Sequence, residues 1–276
     1  MTKKISIKLF IAVLLLASLS LSICFSFAAM AETDEEVRYA DLAVTYGAVN
    51  SSENVPFTKR ETEYKEIKNA IPRYNQLSAL PNSCGATAGA IVVGFYDKYY
   101  ENLIPNYTSY VSSGTYKGND STYIPQLMRE LYTLMRTNID DVGVSEQDCL
   151  NGLKAYVNAK SLNLTYRSVK SFNKVNESLY LDAVNNNLPT LLFCDKMDMY
   201  NLSPADTYDV VVKTSLEGAH VAVGYGIYTV KYYNGNSVYR TDKYLCVATG
   251  LGLMSTCYLK MNATDWCNAA YSVTIN

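Results

Sequence analysis

The sequence predicts an α+β domain, and three observations carry that prediction. Apolar residues recur at helical spacing between residues 82 and 186, as packed helices require. From residue 189 onward the pattern changes to short apolar runs of strand length. Asn234-Gly235 joins two of those runs, a strong hairpin signal. Helices first and strands afterwards is the order of an α+β domain, whereas parallel α/β folds alternate the two.

The chain opens with Lys3, Lys4 and Lys8, an apolar stretch over 10–27, and Ala29-Met30-Ala31. That order of charge, apolar core and small-residue processing site predicts a signal peptide over 1–31. The apolar stretch approaches membrane-span length, but the processing site favours removal. The expected location is therefore secreted, extracellular or at the cell surface. Residues 32–70 read as a polar, partly helical leader or propeptide-like arm, with Asp34-Glu35-Glu36 followed by mixed charge over 59–68. The main domain is expected over 71–276, entered through Ile71-Pro72-Arg73-Tyr74.

Within that domain, Gly85, Ala88, Gly89, Val92, Phe95 and Tyr96 share helical spacing, and Ala90, Ile91 and Val93 fill the other side. A helix apolar on nearly every face belongs at the centre of a domain. Asn82 or Ser83 is placed to cap it, which puts Cys84 in its first turn. Its small residues lower helix propensity and make sense where neighbours pack against the backbone. A surface loop rich in Tyr, Ser, Thr and Gly follows over 107–120, then helices are expected near 121–135, 145–159 and 176–186. Strand-like runs lie at 189–194, 220–226, 227–233, 237–240, 243–248, 256–261 and 271–275.

Removing 1–31 takes away three lysines and no acid, leaving 21 basic against 26 acidic residues, a net charge of −5. That argues against nucleic acid or anionic lipid as the main partner. The 25 tyrosines and only 18% charged residues suggest a hydroxyl-rich surface suited to peptides or polymers. Six cysteines remain, at 84, 149, 194, 246, 257 and 267, with no CxxC pair. Most are expected to be small buried residues; Cys257 and Cys267 are one conceivable bridge. A single histidine and no clustered carboxylates leave no zinc site, and no cofactor is expected.

A thiol becomes nucleophilic when its thiolate is stabilised, and the first turn of a helix does this through unpaired N–H groups and the helix dipole. Cys84 has that position. The only histidine, His220, begins the alternating run Gly218-Ala219-His220-Val221-Ala222-Val223-Gly224-Tyr225-Gly226. Sequentially distant Cys and His are the usual arrangement of cysteine peptidases. On a strand, His220, Ala222 and Gly224 share a face, with small neighbours that leave room for a substrate.

Asn82-Ser83-Cys84-Gly85-Ala86-Thr87-Ala88-Gly89-Ala90 with Gly94-Phe95-Tyr96-Asp97 resembles the nucleophile segment of the C39-like branch of papain-like cysteine peptidases, here of bacterial secreted type. Gly218 to Gly226 resembles the same family's base-bearing strand. The resemblance spans roughly residues 70–275. It implies a papain-like fold, with a central Cys-bearing helix packed on a C-terminal antiparallel sheet that carries the His. It also implies hydrolysis of peptide bonds in a peptide or protein substrate. Gln76, eight residues before Cys84, stands where the family places an oxyanion donor. Thr249, in Ala248-Thr249-Gly250, stands where the family orients its His with Asp or Asn; Asp242 and Asn262 are the alternatives. Two other readings stay open: a catalytically impaired surface-binding or toxin-like domain, and a cell-wall peptide hydrolase. The latter branch usually shows an Asp-Cys pair, whereas Ser83 precedes Cys84 here.

Overall fold

The computed structural model describes residues 49–276 apart from 69, 112, 253–255 and 264–266. The expected signal peptide and the start of the arm, residues 32–48, lie outside the described residues. The described chain is a mixed α+β fold with four α-helices and a large antiparallel sheet. Helices α1 (Cys84–Asp97), α2 (Tyr123–Leu134), α3 (Glu146–Ala159) and α4 (Glu177–Asn185) sit where the apolar spacing puts them. Two starts are fixed by side-chain caps. Ser145 Oγ accepts from Asp148 N at 3.1 Å, and Asn176 Oδ1 accepts from Leu179 N at 3.1 Å, each satisfying an orphan donor of the first turn. Among the described residues no helix is long and apolar enough to cross a membrane.

Helix α1 is buried on all sides after its first residue and packs against α2, α3 and the sheet. Its glycines let those neighbours approach. A Cβ on Gly85 would lie 2.5 Å from Val144 Cγ1, so alanine there would force the neighbouring segment away.

The strands are β1 (Val49–Pro56), β2 (Lys59–Glu66), β3 (Leu164–Ser168), β4 (Lys170–Ser171), β5 (Lys174–Val175), β6 (Thr190–Pro204), β7 (Tyr208–Asn234), β8 (Ser237–Ala248), β9 (Thr256–Lys260) and β10 (Cys267–Ile275). Eight of them form one sheet in the order β1-β7-β8-β9-β6-β10-β3, with β2 also on β7, while β4 and β5 pair separately. Because β6 also pairs with β7, the ring β6-β7-β8-β9 closes on itself. The β7–β8 turn comes one residue later than Asn234-Gly235 suggests: Asn234 faces Ser237 across Gly235 and Asn236. Only Gly235 has positive φ, 59°, the pattern of a turn with Gly at its first central position.

Two expectations are corrected. The runs at 189–194 and 220–233 are parts of the much longer β6 and β7. Charged residues obscure 195–216, yet Met197, Met199, Val211 and Leu216 are buried at strand alternation. The arm is not helical at 49–66: β1 pairs with β7 over Tyr208 to Ser215, and β2 pairs with it over Gly226 to Tyr233. No break in the sheet marks residue 70. The Lys/Glu-rich β2 has helix-forming composition, but its pairing with β7 decides the outcome, as context overrides propensity.

The tyrosines are divided between core and surface, with Tyr64, Tyr99, Tyr166, Tyr208 and Tyr239 exposed. Tyr74, Tyr156, Tyr180, Tyr232 and Tyr244 are wholly buried. Apart from Tyr74, their hydroxyls, like that of Tyr96, find partners as buried ones usually do: Tyr96 donates to Val273 O at 2.7 Å and Tyr232 to Asp209 Oδ2 at 2.9 Å. All cysteines among the described residues are free, and all but Cys84 are buried. Cys257 and Cys267 are not bridged.

Candidate functional site

Cys84 is the first residue of α1, partly exposed, directly after Ser83 at the N-cap position. The capping expectation fails in detail. Ser83 makes no side-chain cap bond, and its buried Oγ has no hydrogen-bond partner among the described residues. Asn82 instead has φ of 55° and donates its side-chain amide to Asn138. The N–H groups of the first helical turn therefore remain available.

His220 lies in the middle of β7, buried, and lines the same cleft of about 490 Å³ as Cys84. The cleft is walled by Asn82, the segment 141–144, Glu146, residues 193–195, residues 218–221 and Asn268. The strand is shaped for this. Cys194 pairs with His220 and Lys196 with Glu217, so Gly218 and Ala219 face the single residue Asp195 across a β-bulge. Gly218 has φ of 108° with open space where a Cβ would be; glycine is needed there for backbone conformation. Bulges re-aim side chains, and all three residues of this one, Asp195, Gly218 and Ala219, line the cleft.

His220 Nε2 lies 2.8 Å from the Thr249 carbonyl oxygen. A carbonyl only accepts, so the bond requires the proton on Nε2 and leaves Nδ1 as the basic nitrogen of the neutral ring. Burial pushes the imidazole pKa down to about 4, against the Thr249 bond, which favours the charged ring. Burial also pushes the Cys84 thiol up, opposed by the backbone N–H groups of Val221, Gly85 and Cys84. The Val221 contribution sets the sulfur beside the residue that follows His220. Both groups rest in their neutral forms near pH 7.

Thr249 thus meets the histidine through its backbone, while its Oγ1 accepts from Leu251 N at 3.1 Å. The alternatives do not orient the ring. Asp242 is held by Arg240 at 2.8 Å and Lys260 at 3.3 Å, and Asn262 is exposed. Gln76 is buried and its backbone N–H donates to Gly250 O at 3.0 Å. Its Nε2 has no hydrogen-bond partner among the described residues, but Gln76 does not line the cleft. The chain therefore brings together Cys84, His220 and the Thr249 carbonyl, and leaves Gln76 beside the turn that holds the histidine. The room expected next to Gly224 is filled: a Cβ there would lie 2.5 Å from Tyr180 Oη.

Sequence reasoning missed the segment before α3. Arg136, Asn138, Asp140 and Asp141 all have positive φ between 53° and 64°, unusual for residues other than glycine. Such strain gathers at ligand-facing segments. Asp141 and Val142 line the cleft, Val142 is 81% exposed, and Val144 packs on Gly85. The clustered Asn and Asp, which tolerate positive φ, were the available signal. The lining holds three carboxylates, Asp141, Glu146 and Asp195, and no Lys or Arg. Neutral donors hold them: Asn138 for Asp141, Tyr271 for Glu146 and Asn268 for Asp195. No protein-family model, no curated protein and no solved structure matches this chain.

Proposed function

We propose that the protein is a secreted thiol-dependent peptidase of papain-like type, with Cys84 as nucleophile and His220 as base. One observation carries this reading: Cys84 opens a buried helix in the same cleft as a histidine whose far nitrogen is tied to the Thr249 carbonyl. His220 Nδ1 takes the thiol proton as Cys84 Sγ attacks the peptide carbonyl. The imidazolium then returns that proton to the leaving amine as the C–N bond breaks, and water releases the acyl group from sulfur. The unpaired N–H groups at the start of α1 suit the developing oxyanion. Carboxylates without a cation in the cleft wall favour peptides with Lys or Arg near the scissile bond.

The test is chemical. An iodoacetamide-type reagent should label Cys84 much faster than the five buried cysteines, and Cys84→Ala should abolish cleavage of a casein-like substrate. Equal labelling of all thiols would sink the proposal. A second reading, a papain-like binding domain with impaired catalysis, draws on a specific observation. The group that meets His220 Nε2 is a neutral carbonyl and not a carboxylate, and burial holds both thiol and imidazole neutral. Retained ligand binding by Cys84→Ala, with no cleavage by the parent, favours that reading.

A further inference from the structure

We propose that Cys194 and Cys267 form an oxidisable thiol pair in the cleft wall, bridged when a low-molecular-weight disulfide such as oxidised glutathione is supplied. The two residues are direct partners on the adjacent antiparallel strands β6 and β10. The pairing lies beside a register shift in each strand, after Cys267 in β10 and after Cys194 in β6; opposed residues of a regular antiparallel pair have Cα atoms about 4.5–5.5 Å apart, inside the range of about 4.4–6.8 Å that disulfides span. Their side chains are already in contact, since each thiol is the other's hydrogen-bond partner. None of the other buried cysteines has a thiol partner of this kind.

The surroundings prepare the pair for exchange. The Cys194 hydrogen bond, together with the Lys170 charge and the backbone N–H of Phe193, holds the Cys267 thiol below its ordinary pKa. Lys170 is fixed there by donating to the Cys267 and Asn268 carbonyls, both at 2.6 Å. Burial holds the Cys194 thiol protonated. When Cys267 is deprotonated it can take the Cys194 proton across this hydrogen bond, and the Cys194 thiolate so formed attacks a disulfide. Cys194 lines the cleft and Asn268, next to Cys267, lines it too, so a small reagent arrives from the open side.

The chemistry balances. Cys194 sulfur displaces one half of the reagent and forms a mixed disulfide; Cys267 sulfur then displaces the second half. One reagent S–S bond is lost and one protein S–S bond is gained. The two thiol protons leave with the two small thiols, and the pair gives up the two electrons that the reagent takes. The new bond ties β6 to β10 at the residue that pairs with His220 and removes a second thiol from the cleft that holds Cys84. This inference needs no catalytic activity, so it stands or falls apart from the peptidase reading.

The experiment uses the full chain, treated either with oxidised glutathione or with dithiothreitol. Each sample is quenched in acid, unfolded in denaturant, alkylated without further reduction, and peptide-mapped by mass spectrometry. The expected result is a linked peptide containing Cys194 and Cys267, with alkylation of both lowered ~tenfold or more by oxidation and that of Cys246 and Cys257 unchanged. In Cys194→Ser, Cys267 should stay open to alkylation after the same oxidation. Full alkylation of Cys194 and Cys267 in the oxidised parent would overturn the proposal. So would a bridge from either residue to Cys84, Cys149 or Cys257.

Discussion

The middle of β7 and its two ends belong to one strand, yet they handle polar groups in opposite ways. At the ends, around 209–211 and 228–232, the buried charge is paired. Asp209, wholly buried, receives Arg60 at 2.7 Å and the Tyr232 hydroxyl at 2.9 Å, and Arg60 also donates to Tyr228 at 2.6 Å. Val55, Val211, Val230, Tyr232 and Tyr244 close over this set as a small core. In the middle, a bulge interrupts the ladder, His220 is driven to its neutral form, and a thiol sits open to a cleft. Departures from local consistency concentrate where chemistry happens. The difference places the paired buried charge at the ends and the proposed reaction in the middle.

Replacing one group in each region breaks or sharpens that contrast. Cys84→Ala should lower kcat/KM by at least ~10³-fold, as loss of a nucleophile does, and leave the denaturation midpoint nearly unchanged. Arg60→Ala should do the reverse. It strands a buried Asp209 carboxylate and costs about 3–5 kcal/mol of stability, with cleavage per folded molecule preserved. Urea titration and initial rates on both variants decide the matter. A large stability loss in Cys84→Ala, or an activity loss in folded Arg60→Ala, would dissolve the division.

Acid should act on the middle of the strand first. His220 titrates at about 4 in the fold and at about 6.5 in the unfolded chain. Between those values the unfolded state binds the extra proton, so stability rises with pH. The contribution is present in full above about pH 6.5 and is lost at about 1.4 kcal/mol per unit as pH falls to about 4. Urea midpoints at pH 4.5 and 6.5 should show this slope in the parent and a weaker one in His220→Gln. An equal slope in both would assign the titration elsewhere.

Much of this was legible before any coordinates. Helix-forming spans declare themselves by spacing and caps, so α1 to α4 fall close to where Ser145, Asn176 and the apolar rows put them. Cys84 and His220 could be singled out because each sits in a segment rich in small residues, and the fold places both on one cleft. The outer strands were hidden, since β2 reads as charged, helix-prone sequence and becomes a strand only by pairing with β7. The cleft wall was hidden for a related reason: positive φ at Asn138, Asp140 and Asp141 is a backbone property that side-chain chemistry only hints at. Thr249 was legible as a position and illegible as a mechanism, because the atom that meets the histidine is one every residue possesses.

That last point yields the smallest expected effect. If the Thr249 carbonyl orients His220, the side chain is dispensable, and Thr249→Ala should change kcat/KM by less than about threefold, well under the 10²–10⁴-fold that proton transfer by a positioned base is worth. The hydroxyl's bond to Leu251 N is lost, which costs on the order of 1 kcal/mol and appears as a small drop in urea midpoint. The pH profile is the sharper readout. A carbonyl left in place keeps Nε2 protonated and Nδ1 basic, so the acid limb of kcat/KM should not move. A hydroxyl that carried the orientation would shift that limb when removed and lower kcat with little change in KM. Thr249→Ser, with carbonyl and hydroxyl both retained, separates the two cases: if Thr249→Ala loses activity that Thr249→Ser keeps, the hydroxyl does the orienting and the backbone assignment falls.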